Sequence, residues 1–268
     1  MNPQPPSDDV SARFDLARDL AGGAGEILRG GLGRAAVEHK SPLELVTEFD
    51  RASERFIVER VTAAFPADAL LAEEGSQRPG GPWRWYIDPL DGTTNYAHGL
   101  PHFSVSIACA FEEGLQFGIV YDPMRGEMFH AARGRGTFLG DIRLGVSRES
   151  DLATSLLVTG FPYDLRHNPD NNLDHFADLA RRSLGVRRFG SAALDLAYVA
   201  AGRFDAYWEL RLAPWDVAAG IVLVREAGGR VTRMDGGSDP LAPPPSIAAS
   251  NGHLHAQLLE ALGEGRGV

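Results

Sequence analysis

Apolar residues in the first thirty positions recur at helical spacing. Val10, Phe14, Ala17, Ala21, Ala24 and Leu28 fall on one face, and Gly30-Gly31 stops the pattern, which predicts a helix. A second helix is predicted over about Thr47 to Ala64, with Phe49, Ala52, Phe56, Val61 and Ala64 as its apolar stripe. Thr47 and Asp50 have the Ser/Thr-x-x-acid spacing of a helix start. The period then becomes that of strands. Short apolar runs begin at Ala69, Trp83, Phe103, Leu115 and Glu127, and turns separate them. Two of those turns, at Glu113-Gly114 and from Asp122 to Gly126, read as hairpins.

The second half alternates. A strand is predicted from Ser155, a helix from Asn172, an extended piece from Val186 and a helix from Ala192. A strand follows from Phe204. A helix opens at Pro214, with proline in its first turn and Gly228-Gly229 after its end. A last strand at Ile247 and a short closing helix complete the chain. Strands and helices mix without a regular βαβ series, which favours α+β or a layered α/β fold over a barrel or a doubly wound sheet. Thr137 to Leu152 is the one candidate linker, and a poor one. The expectation is a single domain of two closely packed lobes, about 10–145 and 150–263.

Composition narrows the function. The 268 residues carry a net charge of −10. That sign argues against general binding to nucleic acid or a membrane surface, because both are anionic. Cys109 is the only cysteine and sits in an apolar run, so no intramolecular disulfide forms and a buried inert thiol is expected. Met1 to Val10 is polar and proline-rich, unlike a signal peptide. No apolar stretch approaches the ~18 residues of a membrane span, and Val217 to Val224 is among the longest. The expected location is the cytoplasm.

The segment Trp85-Tyr86-Ile87-Asp88-Pro89-Leu90-Asp91-Gly92-Thr93-Thr94-Asn95 carries most of the chemistry. It reads either as a plain turn, for which Asp, Pro, Gly and Asn are the usual residues, or as a cation site beside a phosphate. Gly92 lets backbone N–H groups approach an anion closely. Glu73 ends the preceding strand run, and Asp216 lies in the first turn of the Pro214 helix, where a carboxylate also suits the helix dipole. Asp50 and Thr47 have the same plain reading as helix-start residues. If neighbouring strands end at one edge, Glu73, Asp88 and Asp91 converge. Two like charges ~4 Å apart repel by roughly 4 kcal/mol at an effective dielectric near 20. Such a cluster needs protons or metal ions, and a bound cation also lets an acidic protein hold a phosphate.

Rival motifs fail. His98 and His102 are four apart, but Gly99 and Pro101 break any helix between them, so a zinc hydrolase is not indicated. No P-loop and no G-x-S-x-G elbow occurs. Gly134-Arg135-Gly136 has the wrong spacing for a dinucleotide loop. Asp88 and Asp91 are three apart, unlike the D-x-D of phosphatases with an aspartyl nucleophile. Arg187-Arg188 suits either a solvated face or an anionic substrate.

These residues resemble the inositol monophosphatase family, most closely its bacterial branch. The first signature is the Trp85–Asn95 segment. The second is Trp215-Asp216-Val217-Ala218-Ala219-Gly220 with Glu226-Ala227-Gly228-Gly229. Gly190-Ser191-Ala192-Ala193, Trp208-Glu209 and the segment from Lys40-Ser41-Pro42 to Asp50 also match, so the resemblance covers about residues 10 to 263. It implies a sandwich of alternating helix and mixed-sheet layers, a homodimer, and two or three Mg²⁺ ions. Glu73, Asp88 and the Leu90 carbonyl are implied to hold one ion, Asp88, Asp91 and Asp216 a second, with a weaker third near Glu73. The amides of Gly92 and Thr93 are implied to bind phosphate. Asp91, Ser191, Ala192, Glu209 and Asp216 would face the substrate's hydroxyls. Asp50 and Thr93, with Glu73, would serve catalysis by orienting a water that attacks phosphorus in line. The implied substrate is a small phosphate monoester, first inositol monophosphate, with sensitivity to Li⁺. Histidinol phosphate, fructose 1,6-bisphosphate and adenosine 3′,5′-bisphosphate are alternatives. A regulatory role with transcription or ribosome-assembly machinery is a non-enzymatic alternative. Neither membrane nor direct nucleic-acid binding is expected.

Overall fold

The predicted first helix forms as α1 (Ser7–Gly31), burying Ala17, Leu20, Ala21, Ala24 and Leu28 on one face. The computed structural model describes residues 5–41, 44–112 and 114–264. Pro42 of the N-terminal family segment and Glu113 of a predicted turn lie outside them. An antiparallel pair, β1 (Val37–Ser41) and β2 (Glu44–Thr47), leads into α2 (Glu48–Ala64). Thr47 caps α2 and Asp50 closes the capping box that the spacing predicted.

Eight strands make the first sheet. They are β3 (Ala69–Ala72), β4 (Gln77–Arg78), β5 (Trp83–Asp91), β6 (Ser104–Phe111), β7 (Gly114–Asp122), β8 (Glu127–Ala132), β9 (Gly136–Leu139) and β10 (Ile142–Arg143). Their spatial order is β10-β9-β8-β7-β6-β5-β3-β4. All neighbours are antiparallel except β3 and β5, which run parallel with Ala72 beside Ile87. A short helix α3 (Thr93–Ala97) follows β5. The expected connection from Thr137 to Leu152 is corrected here. Its first part pairs into the sheet as β9 and β10, because Leu139 and Phe138 find partners in Ile142 and Arg143.

The second sheet holds β11 (Leu156–Thr159), β12 (Gly185–Arg187), β13 (Ala206–Leu210), β14 (Arg230–Thr232) and β15 (Ser246–Ser250), in the order β12-β11-β13-β15-β14. Its helices are α4 (Leu173–Arg182), α5 (Ala192–Ala200), α6 (Pro214–Glu226) and α7 (His255–Glu264).

Strand periodicity sorts the side chains into layers. Leu157, Ala206, Trp208, Leu210 and Ala248 pack with α4 and α7, while Val158, Tyr207, Ile247 and Ala249 pack with α5 and α6. Ala108, Val120 and Phe129 of the large sheet meet α5 and α6 from the other side. Ile107, Cys109 and Ile119 face α1 and α2. The result is five alternating layers, helix–sheet–helix–sheet–helix, the arrangement expected from the resemblance. Helix α6 is covered on both sides and buried from Val217 to Val224, which explains its unbroken apolar run. Among the described residues, no helix is long and apolar enough to cross a membrane.

Candidate active site

The parallel pairing of β3 and β5 brings two carboxylates to one edge. Glu73 is the first residue after β3, and its N–H donates to the Ile87 carbonyl at 3.2 Å, which sets it beside Asp88. The register of β5 against β6 is interrupted between Asp88 and Asp91. Asp88 Oδ1 accepts the Leu90 N–H at 3.0 Å across that interruption. Gly92 then turns the chain with φ 99°. A Cβ there would crowd the His102 and Gly190 carbonyl oxygens at 3.1 and 3.2 Å and strain the left-handed backbone, so glycine is favoured on both counts.

Two helices of the middle layer begin at the same place. Asp91 Oδ2 accepts the Ser191 hydroxyl at 2.5 Å and the Ala193 N–H at 2.8 Å, and its Oδ1 accepts the Ala192 N–H at 3.2 Å. It therefore ties the end of β5 to the N-terminus of α5. Asp216 lies in the first turn of α6 and accepts the Ala213 N–H at 2.6 Å. Both helix N-termini present their positive ends to the carboxylates.

Behind this edge, Asp50 serves two partners. Its Oδ2 accepts the Thr47 N–H at 2.8 Å and the Thr47 hydroxyl at 2.5 Å, and its Oδ1 accepts the Thr93 hydroxyl at 3.0 Å. One oxygen serves the helix start and the other holds the Thr93 hydroxyl. The Thr93 hydroxyl is also 3.0 Å from the Leu90 carbonyl.

On β13, the Glu209 carboxylate accepts the Tyr207 phenol at 2.6 Å. It lies so close to the backbone of Gly160 that a Cβ there would sit 2.0 Å from Oε2. Glycine at 160 makes room for this acid.

These groups line one cavity of about 460 Å³. Glu73, Asp88, Leu90, Asp91, Gly92, Thr93, Ser191, Ala192, Glu209 and Asp216 all border it, with Asp50 one step behind Thr93. A second cavity of similar volume lies at the far end of α6, between Leu115, Arg133, Arg225 and Leu241. Its acids are tied to backbone N–H groups, Glu226 to Gly134 and Gly136 and Asp239 to Leu241.

The electrostatics of the first cavity are unusual. Burial pushes the Glu73 carboxyl up to about 7, with Lys40 pulling it back and Glu74 adding to the rise. Burial lifts Asp88 well above the usual carboxylate range, and the charges of Glu73, Asp91 and Asp216 lift it further. Asp216 rises for the same reasons, burial first and then Glu73. Asp91 is raised by burial despite its four hydrogen-bond donors. Burial also takes Glu209 up to about 7.

Lys40 of β1 reaches in, its Nζ 3.1 Å from Glu73 Oε1 and 2.6 Å from Glu74 Oε1. Burial works against its charge, but the two carboxylates prevail and hold the ammonium. Of the four clustered acids, Glu73 is the one Lys40 reaches. As they lie, no three acidic, histidine or cysteine side chains among the described residues are grouped closely enough to close on one ion. The donor set is nonetheless all oxygen, four carboxylates and the Leu90 carbonyl around one cavity, and it fits a hard divalent cation. Such a cation would reverse the upward shifts.

Sequence reading missed several residues at this site. Lys40 was seen only as part of a motif, and Tyr163 and Arg211, which also line the cavity, were not seen at all. The ambiguous arginine pair divides: Arg188 lines the cavity, and Arg187 is exposed with its guanidinium on the Val186 carbonyl.

The profile described as inositol monophosphatase family matches residues 9–266. An inositol-1-monophosphatase of Rhizobium meliloti is 42% identical over 255 residues, covering 94% of each chain. The Nus factor SuhB of Pseudomonas aeruginosa is 46% identical over 232 residues, 83% of this chain and 86% of its own. The solved structure of the inositol monophosphatase from Anabaena (Nostoc) sp. PCC 7120 superposes with a TM-score of 0.87 at 43% identity, covering 96% of this chain and 97% of that one.

Proposed function

The chain belongs to the inositol monophosphatase family and is a phosphatase, and from that premise we propose that it hydrolyses myo-inositol 1-phosphate to inositol and phosphate. The family is metal-dependent, and Mg²⁺ is the ion this all-oxygen donor set suits. The observation that carries the reading is the gathering of Glu73, Asp88, Asp91 and Asp216 in one cavity beside the Thr93–Asp50 hydrogen bond.

In this reading Glu73, Asp88 and the Leu90 carbonyl hold one ion, and Asp88, Asp91 and Asp216 a second. When bound, Mg²⁺ supplies Lewis-acid stabilisation of the phosphate charge and lowers the pKa of a water. The chain's own residues do the rest. Asp50 fixes the Thr93 hydroxyl, so that its oxygen orients the attacking water toward phosphorus. The N–H groups of Gly92 and Thr93 take the phosphate oxygens. Ser191, Ala192 and Glu209 take the leaving polyol, the Glu209 carboxylate accepting its hydroxyls. Water displaces the alcohol directly, without a covalent intermediate.

The test is phosphate release from a panel of myo-inositol 1-phosphate, histidinol phosphate, fructose 1,6-bisphosphate and adenosine 3′,5′-bisphosphate. The reading expects the highest kcat/KM on inositol 1-phosphate and inhibition by Li⁺. A clear preference for another member of the panel replaces the substrate and keeps the chemistry.

Likeness to a Nus factor supports a second reading, a role with the transcription machinery. An Asp91→Asn chain separates the two: hydrolysis is lost with the carboxylate, and a role as a binding partner survives it.

A further inference from the structure

Arg211, just past β13, has a left-handed backbone with φ 54°. Residues with a Cβ avoid that region, and asparagine is among the few that tolerate it. The conformation sends the Arg211 side chain onto the loop between β11 and α4. Its Nε is 3.1 Å from Asp164 Oδ1, and its Nη2 is 3.0 Å from the same oxygen. Its Nη1 is 3.5 Å from Asp170 Oδ2, and Nη2 also donates to the Asp170 carbonyl. One guanidinium therefore grips the loop at two points six residues apart.

The loop has little else to fix it. Among the described residues, the other hydrogen bonds of residues 163–171 stay within the loop and its immediate ends. Its far end is firm, since Asn172 is buried and bonded to Thr159, Gly160 and Trp208. The middle hangs on Arg211. Next to Asp164 stands Tyr163, exposed at the mouth of the catalytic cavity and lining it. Tyr163 shares that cavity with Glu209 and with the carboxylate cluster.

We propose that Arg211 is a positioning residue: it latches the 163–171 loop so that Tyr163 forms the outer wall of the leaving-group pocket. That wall gives a compact polyhydroxylated leaving group a phenol to hydrogen-bond, and it contributes little to a flat aryl leaving group. The inference rests on the polyol-phosphate reading above.

The test compares myo-inositol 1-phosphate with p-nitrophenyl phosphate in the Mg²⁺-loaded full chain. Arg211→Asn keeps a residue that accepts the backbone and removes the latch. KM for inositol 1-phosphate rises roughly tenfold while kcat changes by less than about threefold, the pattern of lost ground-state binding. The constants for p-nitrophenyl phosphate barely move. Arg211→Lys, which still reaches Asp164 with a charge, restores most of the selectivity. Tyr163→Ala reproduces the Arg211→Asn shift, and combining the two adds nothing further. Should Arg211→Asn melt well below wild type, Asp164→Ala removes one of the two points of the grip from the loop side and must raise KM for inositol 1-phosphate selectively, in the same direction.

The latch is refuted if the selectivity ratio is unchanged in Arg211→Asn, if both substrates lose kcat equally, or if the Tyr163 and Arg211 effects multiply. A wild-type chain that releases phosphate from neither substrate refutes the phosphatase chemistry beneath it. Wild-type activity on both with unaltered selectivity in the variants refutes the latch alone.

Discussion

Asp68 and Asp88 stand at opposite ends of the same parallel strand pair and are equally buried, 3% and 2% exposed. Their surroundings are opposite. Asp68 receives Arg13 Nε and Nη2 at 2.8 and 2.9 Å and the Trp85 indole N–H at 2.8 Å. The guanidinium is itself stacked over the rings of Phe65 and Trp83. Asp88 receives one backbone N–H and otherwise faces Glu73, Asp91 and Asp216. Burial that costs the protein a charge at one end is offset by a fixed cation and an indole. At the other end the charge is left for something that comes and goes. On the proposed function, the difference separates an anchor of the fold from a site kept for chemistry at some expense of stability.

The largest effect expected from breaking this contrast is at the Asp88 end. Asp88→Asn lowers kcat/KM for phosphate release by roughly a thousandfold or more, the scale of losing a preorganised charge-stabilising group. EDTA abolishes wild-type activity, Mg²⁺ restores it and Zn²⁺ alone does not, because every proposed ligand is oxygen. Full turnover in a metal-free preparation contradicts this.

Next in size is Thr93→Ala. Removing the hydroxyl held by Asp50 lowers kcat by at least about a hundredfold and alters KM much less. Steady-state kinetics that show mainly a raised KM would make Thr93 a binding residue instead.

At the Asp68 end the effect falls on stability. Arg13→Ala leaves a buried carboxylate without its cation and destabilises the fold by about 3–5 kcal/mol. Urea unfolding measures the loss, and the folded fraction keeps its activity. A comparable loss of kcat would show that the two ends are coupled.

The smallest effect concerns a buried group outside both regions. His255 lies between the Thr232 and Ser250 hydroxyls, and burial holds its ring at about 4, below the 6.5 of a free imidazole. Between those values the unfolded chain binds the proton and the folded one does not. The contribution of His255 to stability therefore falls as pH drops through that window and levels off below it. Glu73 and Glu209, raised to about 7, contribute with the opposite sign in the same range, so the difference between wild type and His255→Gln in thermal melts from pH 7 to 4 isolates the histidine's slope.

Much of this contrast was legible in the sequence at the Asp88 end. Glu73 and Asp88 each follow an apolar strand run, and parallel neighbours place such residues side by side. The spacing from Thr47 to Asp50 announced a helix start, while the pairing of Asp50 with Thr93 came only from the family resemblance. The alternating layers were implied by the family resemblance, and the structure shows them in the way Trp208 and Tyr207 point to opposite faces of one strand. Other features left no local trace. β1 reads Val-Glu-His-Lys-Ser, with no alternation to mark it, yet it delivers Lys40 to Glu73. Arg13 and Asp68 are 55 residues apart, and only tertiary packing joins them. Arg211 and Asp164 meet across 47 residues through a left-handed turn at an arginine, which no composition signal predicts. Thr137 opens the connecting segment expected between the lobes. It is buried instead, its hydroxyl on the Leu223 carbonyl of α6.

The claim that the carboxylate cluster is held ready for a cation is tested most directly by thermal melting of wild type and Asp88→Asn, each in EDTA and in excess Mg²⁺. A ligand at a hundredfold its Kd stabilises the folded state by roughly 2.7 kcal/mol. Wild type should melt several degrees higher with Mg²⁺ than without. Asp88→Asn, relieved of repulsion from its three acidic neighbours and still able to accept the Leu90 N–H, should be at least as stable as wild type in EDTA and gain little from Mg²⁺. If Asp88→Asn is strongly destabilised in EDTA and keeps the full Mg²⁺ increment, Asp88 is an anchor like Asp68 and the account of this site is wrong.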